Sequence, residues 1–151
     1  PILMQICCHW MMSSCEMADF TYLLDTNILS SLIRDPLGRV PRRIAAKGEK
    51  TVCTSIVVAC ELRFGAEKKQ SASLQARVEE LLTVIDVLAL DVDTDFHYAE
   101  IRATLEAAGT PIGPNDLLIA AHARSLGLIL VSANIREFSR VPGLSVENWL
   151  E

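Results

Sequence analysis

Apolar positions fall into two patterns that alternate along the chain: short runs, and sets with helical spacing. Residues 20–24 (FTYLL) form a short run rich in strand formers that stops at Asp25. Ile28, Leu29, Leu32 and Ile33 then follow at helical spacing, so the segment reads strand, tight turn, helix. Residues 35–38 (DPLG) are punctuation, and residues 39–47 predict a short helix with a basic face that Gly48 ends. A second strand is expected at 51–54. Ser55 can cap a helix running from Ile56 to about Lys69, with Gly65 as its weak point. Leu74, Val78, Leu81 and Leu82 give residues 71–83 one apolar face. Residues 84–90 (VIDVLAL) read as a buried strand. Thr94 is expected to cap a helix to Ala108, with Gly109 beyond its end. Pro114 opens a further helix through Ser125, followed by Gly127. Residues 128–132 (LILVS) form the clearest strand, and 144–146 a short last one. This alternation predicts α/β layering around a mainly parallel sheet, with no internal repeat and no linker.

Composition narrows the class. A chain of 151 residues, half of them hydrophobic, points to one domain with a sizeable core, and with 5% aromatics that core is aliphatic. The net charge of −5 excludes a bulk-basic nucleic-acid binder, though not an enzyme with a local basic patch. The apolar runs are too short to span a bilayer, so no membrane association is expected.

Five cysteines, an odd number, in a chain this aliphatic argue against a disulfide scaffold and for a reducing, cytoplasmic setting. Cys7, Cys8, His9 and Cys15 lack the usual zinc-ligand spacing. Residues 1–17 carry neither periodic structure nor a signal-peptide pattern. They are expected to be a non-native or mis-translated leader, with Met17 as the natural start and 18–151 as the single domain.

Three acids sit where apolar logic would not put them. Asp25 directly follows a buried strand, at the sheet edge where α/β proteins bind ligands, although an Asp there also caps a helix. Glu61 lies within the apolar IVVACEL, where a carboxylate must be paired, bound to a cation, or turned to solvent. Asp116 precedes LLIAAHA in a helix's first turn, a position that also suits the macrodipole. Together they suggest clustered carboxylates, whose repulsion a hard divalent cation would resolve. His122 reads as a packing residue on an apolar helix. Arg39, Arg42, Arg43 and Lys47 form either a patch that steers RNA or an ordinary solvated face.

LLDTNILSSL, TSIVVACELRFGAEK and GTPIGPNDLLIAAHARSLGLILVSANIREFSRVPGLSVENWL, in this order and spacing, resemble the PIN-domain family, in particular its VapC-type toxin ribonucleases of toxin–antitoxin modules. The resemblance runs from about Thr21 to Leu150. It implies a three-layer α/β/α fold with a small, mainly parallel sheet. It also implies a metal-dependent endoribonuclease that uses Mg²⁺, with Mn²⁺ as a substitute, and leaves 5′-phosphate ends. On the matching motifs, Asp25 and Asp116 correspond to the principal metal ligands and Glu61 to the second acid. Asn27 and Ser132 correspond to supporting polar residues. Asn134 stands where many members carry a fourth Asp, and Glu137 follows three residues later, so either can serve the fourth position. Ala133 is a further departure.

The implied partners are RNA, a VapB-like antitoxin whose C-terminal segment lies across the groove, and a second copy of the chain. Arg124 and Arg136 are candidates for contacts to phosphate or antitoxin. A housekeeping PIN-type RNA-processing nuclease and a catalytically degenerate PIN-fold binding module are the competing readings. A response-regulator-like domain would need a late Lys, and none follows Lys69.

Overall fold

The computed structural model describes residues 19–151. The expected leader, 1–17, and with it Cys7, Cys8, His9 and Cys15, lies outside the described residues. Strand β1 (Tyr22–Leu24) leads into helix α1 (Thr26–Arg34), then α2 (Arg39–Lys47) and a single 3₁₀ turn at Glu49–Thr51. Next come β2 (Val52–Ser55), α3 (Ile56–Lys68), α4 (Ala72–Val84) and β3 (Asp86–Leu88). The chain continues through α5 (Thr94–Ala107), α6 (Pro114–Ser125), β4 (Ile129–Val131), α7 (Ile135–Phe138) and β5 (Val146–Glu147).

All five strands are parallel, in the order β3-β2-β1-β4-β5. Consecutive residues of β1 and β2 are all buried, so helices cover both faces, as the α/β reading requires. The strand order reverses at β1, between β2 and β4, which makes the carboxyl edge there a topological switch point. Register levels that edge: Leu24 pairs with Thr54 on one side and with Val131 on the other. The residues that come next, Asp25, Ser55 and Ser132, therefore emerge together.

Most element boundaries follow local chemistry. Asp25, Ser55 and Ser71 each accept a backbone N–H with their side chains and start α1, α3 and α4. At the end of α5, Gly109 takes a φ of +69° and Thr110 N–H bonds back to the Leu105 carbonyl, the left-handed stop a glycine supplies without strain. Gly65 sits inside α3, where glycine costs about 1 kcal/mol relative to alanine.

Three expectations change. The stretch 84–90 is not a buried strand. Val84 ends α4 and is exposed, and β3 occupies the sheet edge with Asp86 in solvent, since an edge strand has a neighbour on one side only. Thr94 does not cap α5. A turn in which Thr94 N–H bonds the Asp91 carbonyl makes Asp93 the cap and draws Thr94 into the core. The final strand falls two residues later than 144–146, at Val146–Glu147.

Cys53 and Cys60 are free thiols, and burial pushes the Cys53 thiol up to about 12, which leaves it inert. Among the described residues no helix is long and apolar enough to cross a membrane.

Candidate active site

The site begins with the turn after β1. Asp25 is 4% exposed, so its carboxylate must find partners. Oδ1 accepts the Thr26 N–H at 2.7 Å and Oδ2 accepts the Ser132 hydroxyl at 2.7 Å. Ser132, fully buried after β4, is the hub of the edge. Its Oγ also accepts from the Asn134 backbone N–H at 3.0 Å and from Asn27 Nδ2 at 3.3 Å. Asn27 Oδ1 in turn accepts the Ala133 N–H at 3.1 Å. The two polar residues expected to support the site thus lock the β1 and β4 ends to each other.

Glu61 comes from α3 and is half-buried. Its two oxygens are held separately, one by the Thr26 hydroxyl and the other by Asn115 Nδ2 at 3.0 Å. Neither donor was expected from the sequence. The available signal is adjacency, because Thr26 follows Asp25 and Asn115 precedes Asp116, so each acid's neighbour reaches the third acid.

Asp116 lies in the first turn of α6, with Asn134 Nδ2 donating to its Oδ2 at 3.4 Å. Its carboxyl is pushed up to about 6, chiefly by burial, then by the charges of Asp25 and Glu137, a shared hydrogen bond with Glu137, and the charge of Glu61. Burial likewise raises Asp25, with a smaller contribution from Glu61, against the lowering effect of its bonds to Ser132 and Thr26. Asp25, Glu61, Asp116, Asn134 and Glu137 are therefore brought together. Both expected occupants of the fourth position bear on Asp116: Asn134 as a donor, Glu137 as a nearby carboxylate whose charge helps to raise it.

These donors suit a hard divalent cation. Like charges held close raise the carboxyl pKa, and a cation removes that repulsion. Among the described residues no three His, Cys, Asp or Glu side chains form a ready cage.

From the acids a groove of about 600 Å³ extends between helices. It follows helical periodicity: Asn27, Ser30 and Arg34 on α1; Glu61, Gly65 and Lys69 along α3 and its cap; Leu74 and Val78 on α4. One end is acidic, and the other is aliphatic with two cations.

Other sequence candidates lie elsewhere. None of Arg39, Arg42, Arg43 and Lys47 lines this groove. Lys47 sits over the Tyr22 ring, 5.2 Å from its centroid, and Arg39 donates to the Leu150 carbonyl at 3.1 Å. Arg124 is a structural clamp rather than a free phosphate contact. Its guanidinium bonds His97 Nδ1 at 2.8 Å, Glu100 at 3.1 Å and the Pro142 carbonyl at 3.0 Å. His122 is a buried packing residue whose Nδ1 meets Ser55 Oγ at 2.8 Å and so ties α6 to the start of α3. Burial lowers its pKa, offset in part by the Ala89 backbone, with which Nε2 makes no bond of good geometry.

Comparison with known proteins identifies the family. The PIN domain family pattern matches residues 22–144. The tRNA(fMet)-specific endonuclease VapC of Shigella flexneri is 43% identical over 129 residues, which cover 85% of this chain and 97% of that one. Ribonuclease VapC2 of Haemophilus influenzae is 43% identical over 131 residues, covering 85% and 98%. Among solved structures, VapBC2 from Rickettsia felis bound to a DNA fragment from its promoter superposes with a TM-score of 0.81 at 34% identity, covering 86% of this chain and 99% of that one. DNA-bound VapBC from Salmonella typhimurium gives 0.78 at 36% identity, covering 86% and 98%.

Proposed function

The chain belongs to the VapC branch of the PIN-domain family, and from this premise we propose that it is an Mg²⁺-dependent endoribonuclease and the toxin of a toxin–antitoxin pair. The observation that carries this reading is the convergence of Asp25, Glu61 and Asp116 at the switch point of a parallel sheet, at one end of an open groove. A phosphodiester is an anion, so such a nest would repel it unless charge were neutralised first.

Asp25 and Asp116 would hold the cation. When bound, it supplies neutralisation of the phosphate and activation of water for an in-line displacement. Mn²⁺ would serve in its place. Thr26 and Asn115 fix Glu61 by both oxygens, so this carboxylate keeps one orientation and can accept a proton from an attacking water. Ser132 keeps Asp25 oriented, and Asn134 does the same for Asp116. Attack by water leaves a 5′-phosphate and a 3′-hydroxyl.

The relatives in Shigella flexneri and Salmonella typhimurium are named for tRNA(fMet), so structured RNA, transfer RNA foremost, is the proposed substrate class. Such a substrate places the work in the cytoplasm. The VapBC complexes among the neighbours support a VapB-like antitoxin as partner, and the reading extends to a homodimer.

The test is incubation of the purified chain and its Asp25→Asn variant with tRNA(fMet), with and without Mg²⁺, followed by analysis of fragment ends. Cleavage that needs both Asp25 and metal and leaves 5′-phosphates is expected. Fragments with 2′,3′-cyclic phosphates would overturn the site assignment.

A further inference from the structure

Two of the three acids ride on one pair of helices, Glu61 on α3 and Asp116 on α6. The pair is antiparallel, since the start of α3 meets the late part of α6 and the middle of α3 meets its start. Two polar rungs join it. The outer rung, Asn115 Nδ2 to Glu61 at 3.0 Å, lies in the site and is exposed. The inner rung, His122 Nδ1 to Ser55 Oγ at 2.8 Å, is buried. They stand roughly 9–10 Å apart along the helices.

The inner rung has a defined polarity. Ser55 Oγ already accepts the Val57 N–H at 3.1 Å, the bond that caps α3. The hydroxyl's own proton finds its acceptor in His122 Nδ1, which assigns a neutral imidazole with its proton on Nε2. Burial lowers the His122 pKa, so the neutral form prevails at pH 7.

An imidazole here costs stability. Ala120, Ala121 and Ala123 beside it are buried, and Nε2 has no well-made bond. An aliphatic side chain would fill α6's buried face without that cost. What the imidazole adds is direction. Apolar contact lets helices slide past each other, whereas a hydrogen bond is good at one height only. That height is referred to the sheet. Ser55 ends β2, whose Thr54 pairs with Leu24, so Ser55 and Asp25 emerge side by side at the carboxyl edge.

We propose that His122 is a positioning residue for the acidic site and, through it, for cleavage: its bond to Ser55 fixes the height of α6 on the sheet edge and so holds Asp116 in place against Asp25 and Glu61. It touches neither substrate nor reacting atoms. The proposal rests on the nuclease reading and adds a dependence on a buried residue outside the groove. Misplacement by about 1 Å, caused far from the chemistry, can cost on the order of 10²-fold in rate.

The test uses the full chain and three substitutions at one position. An asparagine amide overlays Nδ1 of the imidazole, a glutamine amide overlays Nε2, and leucine supplies bulk alone. The readouts are kcat and KM for cleavage of tRNA(fMet) at saturating Mg²⁺, the affinity for Mn²⁺ alone, and the urea midpoint. His122→Leu and His122→Gln should lower kcat and weaken Mn²⁺ binding, each about tenfold, with KM near that of the parent. His122→Asn should recover most of both. Ser55→Ala should cause the same fall in kcat, and combining it with His122→Leu should cost no further rate. Stability should follow a different order, because leucine suits the apolar face: His122→Leu should melt no lower than His122→Asn.

Parent-like kcat in His122→Leu, or kcat that tracks the urea midpoint across the series, would overturn the proposal. If the parent cleaves no RNA while Mn²⁺ affinity falls in the Leu and Gln variants and returns in the Asn variant, the nuclease reading fails and the positioning of the acids stands. If the parent neither cleaves RNA nor binds Mn²⁺, both fall.

Discussion

Around Trp149 the last turn of the chain closes on β1 and α2 with every group matched. The indole is buried, its N–H donates to Glu147 at 2.8 Å, and its ring meets Tyr22 at 5.0 Å between centroids. Lys47 covers the other ring and Arg39 takes the Leu150 carbonyl. At the carboxyl edge of the same sheet the reverse holds. Asp25, Glu61 and Asp116 converge there with Glu137 close by, and burial with mutual repulsion raises Asp25 and lifts Asp116 to about 6. The first region lowers the energy of the folded chain. The second raises it and retains charge that a cation and a phosphate can use. Stability and function are thus separable in this fold, and substitutions should separate them.

The largest effect is expected at the acids. Asp25→Asn or Asp116→Asn should reduce RNA cleavage by on the order of 10³-fold, the several kcal/mol that a cation supplies to a phosphoryl transition state. The metal-free protein should melt no lower, because a repelling charge has gone. Cleavage rate and melting temperature measured on the same preparations check both halves. Retained cleavage in either variant would remove that acid from the site.

Trp149→Ala should do the opposite. Loss of a fully buried indole costs about 3–5 kcal/mol, read as a shift of the urea midpoint. The turnover of the molecules that remain folded should be unchanged. A fall in turnover matching that of the acid variants would mean the closure and the groove are coupled.

These two regions also differ in how far the sequence revealed them. The fold was legible because its signals are local. Ser55 and Ser71 cap the helices they precede, Gly48, Gly109 and Gly127 follow the helices they end, and 114–125 coincides with α6. The edge strand β3 was misread as buried because a β-branched run carries no information on how many neighbours a strand has. At the site, the three acids were visible as charges in apolar surroundings. Thr26 and Asn115 were not, since their task is to hold a residue 35 or 54 positions away, which only the register of the sheet brings near. Among the basic residues, the dense stretch at 39–47 attracted notice and does not line the groove.

A smaller effect should appear in the pH dependence of stability without metal. The Asp116 carboxyl titrates near 6 in the folded chain and near 3.8 when unfolded. Between these values the folded state holds a proton that the unfolded state has released, so stability falls as pH rises from about 4 to about 6 and stays lower above. Asp25 is raised and adds in the same direction. His122, lowered by burial, acts oppositely below its ordinary value. The difference between the parent and Asp116→Asn isolates the carboxyl. It should be on the order of 1–2 kcal/mol at pH 7 in the variant's favour, allowing for partial exposure, and close to zero at pH 4. Urea midpoints in chelator at both pH values measure it.

The smallest effect concerns the fourth position and sharpens the account of the acid edge. Glu137 makes no ion pair with Arg136 or Arg140. The three pairs among the described residues are Arg63–Glu79, Arg102–Glu106 and Arg124–Glu100, so its charge is directed to Asp116 rather than spent on the surface. Asn134 is neutral and donates to Asp116 Oδ2, which orients that carboxylate without adding to its charge. The two residues should therefore fail differently. Glu137→Gln lowers the negative charge around the cation and should raise the Mg²⁺ midpoint of cleavage about fivefold, or roughly 1 kcal/mol for a charge a few ångströms away in a half-solvated site. Its rate at saturating Mg²⁺ should stay near that of the parent. Asn134→Ala keeps the charge and should leave the midpoint in place, but it frees the Asp116 carboxylate to rotate and should lower the saturating rate several-fold. Titration of Mg²⁺ against cleavage rate in both variants separates the two. An unchanged midpoint in Glu137→Gln would assign the negative charge of the site to Asp25, Glu61 and Asp116 alone.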